Sequence, residues 1–404
     1  MHASSIRLDS SLGLIIVSVL ALLAVVAVPW FWDKWRWKRT LRSASTVLAV
    51  LLVLLSSGLA LNMVGGFFPT LGSLLGTSAN PGEGTNGEGG ANGSGLGRLA
   101  EANYQRALQG KGSTVHMPVK GKRTGIERDV NVYFPAAYAD PAWHDRLFGV
   151  IEWFPNYPSG PEVAINTYKL PDALDAAIAK GKLPPSVVII PDPSGQPRIN
   201  HDSECVDAVG GGANDTYLSA DIRQWAVQTL RVSPERRAWS LAGWSSGGYC
   251  AMNLAARHPQ WYANVVSVSG YDKAQTGVET GGDLFKGRAD IGDANTVSKT
   301  LHKNPAALDV LAVAGQREPD ELAAIDAIKA ALVAPTRLFT WTIPDAGHNV
   351  NTLKSQLGPV LSWLGQRSAA PTPPPDPPVT GTGGVQPWPL PNTGGHGALT
   401  GVEQ

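Results

Sequence analysis

Two kinds of apolar pattern divide this chain. Residues 12–28 (LGLIIVSVLALLAVVAV) form an uninterrupted apolar run without charge, extended by Pro29-Trp30-Phe31-Trp32. A helix of that length can cross a hydrocarbon layer of about 30 Å. A second uncharged run of similar length follows at 46–64. Farther along, short apolar runs of strand length alternate with helical segments. Strands are expected at 130–133, 148–153, 186–190, 238–242, 265–269, 310–314 and 337–343. Helices are expected at 171–180, 218–230, 246–257, 321–332 and 350–364, with Asp215 or Thr216 as the N-cap of the second. Buried strands alternating with helices predict an α/β fold, a mostly parallel sheet covered by helices on both faces.

The segment between the two long apolar runs, 33–42, holds five cations, one anion and interfacial tryptophans. The positive-inside rule keeps such a short basic loop in the cytoplasm, with Trp30, Trp32, Trp35 and Trp37 as an aromatic belt. Both ends of the hairpin then point outward, and the rest of the chain is extracytoplasmic. A cleaved signal peptide competes for the first run, but its flank is poor in positive charge and a second span follows directly. Residues 1–75 are therefore expected to be a two-span transmembrane anchor, and 76–97, rich in Gly, Asn and Ser, a flexible tether. The catalytic domain is expected at 98–367. Residues 368–404, dominated by Pro, Gly and Thr, are expected to be a disordered tail. Within the tail, 390–394 reads LPNTG, a sortase-type pattern, but no apolar span or basic tail follows it and the match is taken as coincidence.

Composition excludes more than it selects. Lys+Arg and Asp+Glu both number 33, and no basic stripe interleaved with aromatics lies outside the membrane-proximal segment, so no nucleic-acid partner is expected. Scattered histidines without H-E-x-x-H or paired-cysteine spacing give no metal site, and the glycines 210–212 lack the Lys-Ser/Thr of a phosphate loop, so no cofactor is expected. The two cysteines, Cys205 and Cys250, could form one disulfide in an oxidising compartment or remain two buried thiols.

The candidate chemistry centres on Gly243-Trp244-Ser245-Ser246-Gly247, which sits where an apolar strand meets a helix of small residues. G-x-S-x-G at a strand-to-helix turn presents a serine nucleophile, and the helix start beyond it offers backbone N–H groups to a developing oxyanion. The serine needs a base and the base an orienting acid, in the chain order Ser, acid, His. Among the later histidines, His258 ends the helix after the serine and is expected to meet its last carbonyls. His302 has no strand before it, whereas His348 directly follows the last strand and is the expected base. The acid should follow strand 310–314, where Glu318, Asp320 and Glu321 compete. Glu318 precedes a proline and is the choice, with Asp320 as alternative; Asp320 and Glu321 read as first-turn helix residues. The oxyanion donors are expected to be the N–H of Ser246 and one from the loop 154–160, where Pro155 and Pro158 cannot donate; that leaves Asn156 and Tyr157, of which Tyr157 is preferred.

With those residues in place, the region from about 112 to 364 resembles the bacterial putative-esterase family of α/β-hydrolases, which includes S-formylglutathione hydrolase-like and enterobactin esterase-like enzymes and mycolyltransferases. The resemblance is carried by 241–255 (LAGWSSGGYCAMNLA), by Arg257-His258-Pro259 and Val268-Ser269-Gly270, and by 315–319 (GQREP), similar to a G-x-x-D-P acid loop with Glu at the acid position. Pro155-Asn156 stands where the family commonly has His-Gly. The resemblance implies a serine esterase acting on small-molecule, lipid or glycolipid esters. An acyltransferase of the mycolyl type is the alternative, and a non-catalytic envelope-binding domain the second. The anchor resembles that of membrane-bound actinobacterial members, and the envelope location this implies favours a Cys205–Cys250 bridge.

Overall fold

The computed structural model describes residues 6–8, 10–32, 38–65, 68, 70, 71, 74 and 106–374. The basic segment 33–37, the Gly-rich stretch 76–97 and the sortase-type pattern lie outside them.

At the N-terminus, α1 (Ser11–Phe31) and α2 (Lys38–Gly65) pack against each other. Both are apolar around most of their circumference and long enough to cross a membrane, with mean hydropathy 2.9 and 2.4 over their apolar stretches. Polar groups inside the pair find each other: the Ser18 and Ser56 hydroxyls are 2.7 Å apart, and the Asn62 side chain bonds to the carbonyls of Leu8 and Phe68 and to the Phe68 N–H. Between two apolar helices such pairing satisfies polar groups that have few other partners.

The remainder is built on one eight-stranded sheet. In chain order the elements are β1 (Ser113–Lys120), β2 (Glu127–Phe134), β3 (Gly149–Phe154), α3 (Glu162–Asn166), α4 (Leu170–Ala179), β4 (Ser186–Pro191), α5 (Ile222–Thr229), β5 (Trp239–Trp244), α6 (Ser246–Arg257), β6 (Asn264–Val268), α7 (Val297–Lys303), β7 (Asp309–Gly315), α8 (Pro319–Ala331), β8 (Arg337–Ile343) and α9 (Val350–Gly365). The spatial order is β1-β2-β4-β3-β5-β6-β7-β8. The first two strands are antiparallel to their neighbours, and β4 through β8 run parallel. This is the mostly parallel, two-sided α/β architecture expected from the sequence.

Period-two alternation in the central strands feeds two cores. Val150, Phe154, Leu241 and Val265 face α5, α6 and α7, while Ile151, Trp153, Val266 and Leu311 face α4 and α9. Strand β1 was not anticipated: it is an edge strand containing Pro118, with Val115 and Val119 buried and His116 facing outward, a pattern too weak to stand out. The helix before β5 starts earlier than expected. A turn at Asn214–Thr216 and a π-helical turn at Tyr217–Asp221 precede α5. Neither Asp215 nor Thr216 caps it; Asp215 is buried and ion-paired, and Ala213 occupies the cap position. At the other end, Thr372 pairs with Leu147 through two backbone hydrogen bonds of 2.8 and 3.1 Å. The packed domain thus extends at least to Thr372, past the boundary at 367 expected from composition, because an extended Pro-rich chain can still pair with an open backbone edge.

Candidate active site

The strand-to-helix turn between β5 and α6 is set by what its glycines leave out. A Cβ on Gly243 would lie 2.1 Å from the Gly247 carbonyl oxygen, and one on Gly247 would lie 2.2 Å from that of Phe154. With both absent, β5 and α6 approach closely enough to hold Ser245 at φ 59°, ψ −123°, a conformation L-residues rarely adopt. The Ser245 N–H bonds to the Val268 carbonyl at 2.9 Å, tying the turn to β6. The side chain is thereby lifted above the C-terminal edge of the parallel strands, where sheet-built sites form.

His348 reaches this serine from the loop between β8 and α9, its Nε2 lying 2.9 Å from Ser245 Oγ. Asn349 accepts hydrogen bonds from the N–H groups of Asn351 and Thr352 and so starts α9 immediately after the histidine, fixing that loop. The ring stacks on Trp244, 5.6 Å between centroids and 28° between planes. On its other side, Nδ1 lies 2.9 Å from Glu318 Oε1 and 3.2 Å from Glu321 Oε1. Glu318 is almost completely buried at the start of α8. Its second oxygen accepts from the Ser269 hydroxyl at 3.0 Å and from the Gly315 N–H. Burial opposes ionisation of Glu318, but the hydrogen bonds from His348, Gly315 and Ser269 outweigh it and hold its carboxyl below the usual range. For His348 burial favours the neutral ring, and the two carboxylates overcome that and raise its pKa to about 9.

The helix start supplies the donors. Ser246 N–H is the first of α6 and has no partner four residues back within the helix. Tyr157 lies on the loop after β3, and its N–H donates to Ser246 Oγ at 2.6 Å. An oxyanion can take that N–H only when the Ser246 hydroxyl gives it up. Asn156 is buried, its side-chain oxygen accepting from Tyr168 and its amide donating to the Tyr157 carbonyl at 3.1 Å. Cys205 and Cys250 form a disulfide that ties the loop after β4 to α6.

Of the sequence-predicted residues, Ser245, His348, Glu318, Ser246 and Tyr157 come together here. Asp320, the alternative acid, forms no ion pair with His348; its neighbour Glu321 does. His258 is elsewhere. Its backbone N–H does meet the Leu254 carbonyl, as expected of a helix end, but its ring bonds to Asp215 and stacks on Trp261. His302 lies in α7 and bonds to the Ala331 carbonyl. Glu321, Ser269 and the Trp244 ring were not assigned a role from the sequence. For Glu321 a signal existed, since residues three apart at a helix start share a face. The donor atoms of Glu318, Glu321 and His348 lie within 4.8 Å of one another, close enough to share a cation. Nδ1 faces the two carboxylates, however, and they favour the protonated ring, which has no lone pair for a metal, so we assign none there.

A strained serine at the end of a parallel strand, with a histidine at its side, defines the α/β-hydrolase class. The sequence profile of the "putative esterase" family matches residues 121–352, more than half of the chain, and the chain belongs to that family. An uncharacterized protein of Corynebacterium glutamicum is 24% identical over 271 residues, covering 63% of this chain and 62% of that protein. The aligned part thus spans less than two thirds of that relative. Among solved structures, an S-formylglutathione hydrolase from Agrobacterium tumefaciens has a TM-score of 0.55 at 13% identity, covering 64% of this chain and 97% of the other. A ferulic acid esterase has a TM-score of 0.54 at 16% identity, covering 63% and 98%. A fluorophosphonate-binding serine hydrolase of Staphylococcus aureus has 0.51 at 14%, covering 63% and 99%. These likenesses establish the shared fold.

Proposed function

We propose that this protein is a membrane-tethered, extracytoplasmic serine esterase that hydrolyses carboxylic esters through an acyl-enzyme. The observation that carries the reading is the continuous line from Ser245 Oγ to His348 Nε2 at 2.9 Å and from His348 Nδ1 to buried Glu318 at 2.9 Å. Neutral His348 takes the Ser245 proton as Oγ attacks the ester carbonyl, and the imidazolium then passes it to the departing alkoxide. Water, deprotonated by the same imidazole, releases the acid and restores the serine. Glu318 stays ionised and orients the ring. The N–H groups of Ser246 and, once Ser246 Oγ yields it, of Tyr157 stabilise the oxyanion of each tetrahedral intermediate. Helices α1 and α2 anchor the chain, the basic segment between them faces the cytoplasm, and 76–97 tethers the domain outside.

A fluorophosphonate probe should label the full-length protein in detergent and fail to label Ser245→Ala, with ester hydrolysis falling at least about 10³-fold. Equal labelling of the two proteins would remove the serine mechanism. Supplying a sugar acceptor with the ester donor separates hydrolysis from transfer: free acid alone supports the esterase, and an acylated sugar makes the protein an acyltransferase. Reactivity of single cysteines placed in the domain toward a membrane-impermeant thiol reagent in intact cells tests the orientation, and protection of every one of them would reverse it.

A further inference from the structure

His348 carries an arrangement that a three-residue relay does not require. Its Nδ1 has two carboxylate neighbours, Glu318 Oε1 at 2.9 Å and Glu321 Oε1 at 3.2 Å. The two acids differ in setting. The Glu318 side chain is 1% exposed, held by Ser269 and the Gly315 N–H; that of Glu321 is 18% exposed, one helical turn into α8. Nδ1 is the one partner of Glu318 Oε1 among the described contacts, at 2.9 Å. The imidazole N–H therefore has two carboxylate acceptors within reach, the nearer being Glu318. One acceptor sits at the N-cap of α8 and the other three residues on, in its first turn. The other charges at this edge do not compete for the N–H: Asp345, on the loop that carries His348, is exposed and paired with Arg317 at 3.2 Å.

We propose that Glu321 is a positioning residue that shares the His348 Nδ1–H with Glu318 and sets the pH range over which the imidazole can accept the Ser245 proton. The inference rests on the serine mechanism proposed above. A single buried carboxylate orients the ring; a second negative charge at contact distance stabilises its protonated form further. That favours the imidazolium that forms during attack. It also means that the neutral ring, which alone can take the serine's proton, becomes the major form only at alkaline pH. The consistent physical picture is the raised His348 pKa of about 9, to which burial contributes in the opposite sense and both carboxylates in this one. The partial exposure of Glu321 allows the charge to be removed without opening the core.

The test is the pH dependence of kcat/KM for 4-nitrophenyl butyrate, corrected for spontaneous hydrolysis, with the full-length protein in detergent. Wild type should rise with pH through a limb near 9. Glu321→Gln should move that limb down by about one pH unit, and so raise kcat/KM at pH 7 up to about tenfold. Glu321→Asp, which keeps the charge, should leave the limb nearer its wild-type position. A residue with only a structural role would change the height of the profile and not the position of its limb. Should Glu321→Gln yield too little folded protein, proton NMR of the wild-type imidazole N–H resonances against pH reads the same ionisation, and a midpoint near an ordinary 6.5 would overturn the proposal. So would superimposed limbs for wild type and Glu321→Gln. If fluorophosphonate labels Ser245 while the limbs coincide, only the role of Glu321 is lost; if Ser245 is never labelled, the serine mechanism itself has failed.

Discussion

The domain contains two histidine–carboxylate–tryptophan assemblies, and they look alike until their charges are counted. In one, His348 stacks on Trp244 and meets buried Glu318; in the other, His258 stacks on Trp261, 5.0 Å between centroids, and meets buried Asp215. At His348 one imidazole faces two carboxylates, Glu318 and Glu321, and its other nitrogen is turned to a serine hydroxyl. At Asp215 one carboxylate faces two side chains, the His258 ring and Arg257, whose Nε lies 2.5 Å away. Burial alone would raise the Asp215 pKa, but His258 and then Arg257 outweigh it and bring it down to about 2. A carboxylate with two partners is neutralised and joins the turn before α5 to the end of α6. An imidazole with two carboxylates and a free lone pair at a serine can carry a proton. The pair itself is not the signature of a site; the imbalance around it is.

The comparison breaks most sharply at the two buried acids. Glu318→Gln removes the charge that orients and stabilises the imidazolium, and ester hydrolysis should fall on the order of 10³- to 10⁴-fold with little change in thermal unfolding. Asp215→Asn should do the opposite. It leaves Arg257 and His258 without their shared anion, which costs about 3 kcal/mol of stability, while kcat/KM per folded molecule stays near wild type. Calorimetry and ester turnover on the same two variants read both effects. If Asp215→Asn abolishes turnover in a fully folded protein, the two assemblies are not functionally distinct.

Acid unfolding sharpens the same contrast. The Asp215 pKa is depressed in the folded protein, so its contribution to stability is present above the unfolded-state value of roughly 4 and is lost as pH falls toward 2. Wild type should therefore lose stability across that window. Asp215→Asn, already weaker, should be flatter there, as followed by circular dichroism. An unchanged slope between pH 4 and 2 would mean that Asp215 does not carry the linkage.

Much of this was legible in the sequence, for identifiable reasons. The parallel sheet showed in short, fully apolar runs such as 186–190 and 310–314, because strands buried on both faces have no polar side to hide them. Ser245 was legible because only glycine fits at 243 and 247, which leaves a fixed spacing in the chain. His348 and Glu318 followed from their places after the last two strands. The rest depended on approaches that no local pattern encodes. Glu321 read as an ordinary first-turn carboxylate; its spacing from Glu318 put the two on one side, but nothing there says that the loop carrying His348 returns to it. Asp215 read as a helix cap for the same reason: its partners, Arg257 and His258, lie at the far end of α6, after α5 and β5. Likewise, the Tyr157 N–H was expected to be free for the oxyanion, whereas the Ser246 hydroxyl occupies it in the resting structure.

The smallest effect tests the charge count most directly. His258→Gln removes one of the two partners of Asp215 and leaves Arg257 Nε at 2.5 Å to hold the carboxylate. The loss should be about 1 kcal/mol, the usual net worth of one hydrogen bond, clearly less than for Asp215→Asn, because the buried anion is still paired. Neither kcat/KM nor the position of its alkaline limb should move, as His258 does not touch Ser245. A loss equal to that of Asp215→Asn would mean that Arg257 alone cannot neutralise the carboxylate, and that His258 carries its proton at neutral pH. That result would make the two histidines alike after all, both held charged by buried acids, and only the serine beside His348 would then separate a catalytic assembly from a structural one.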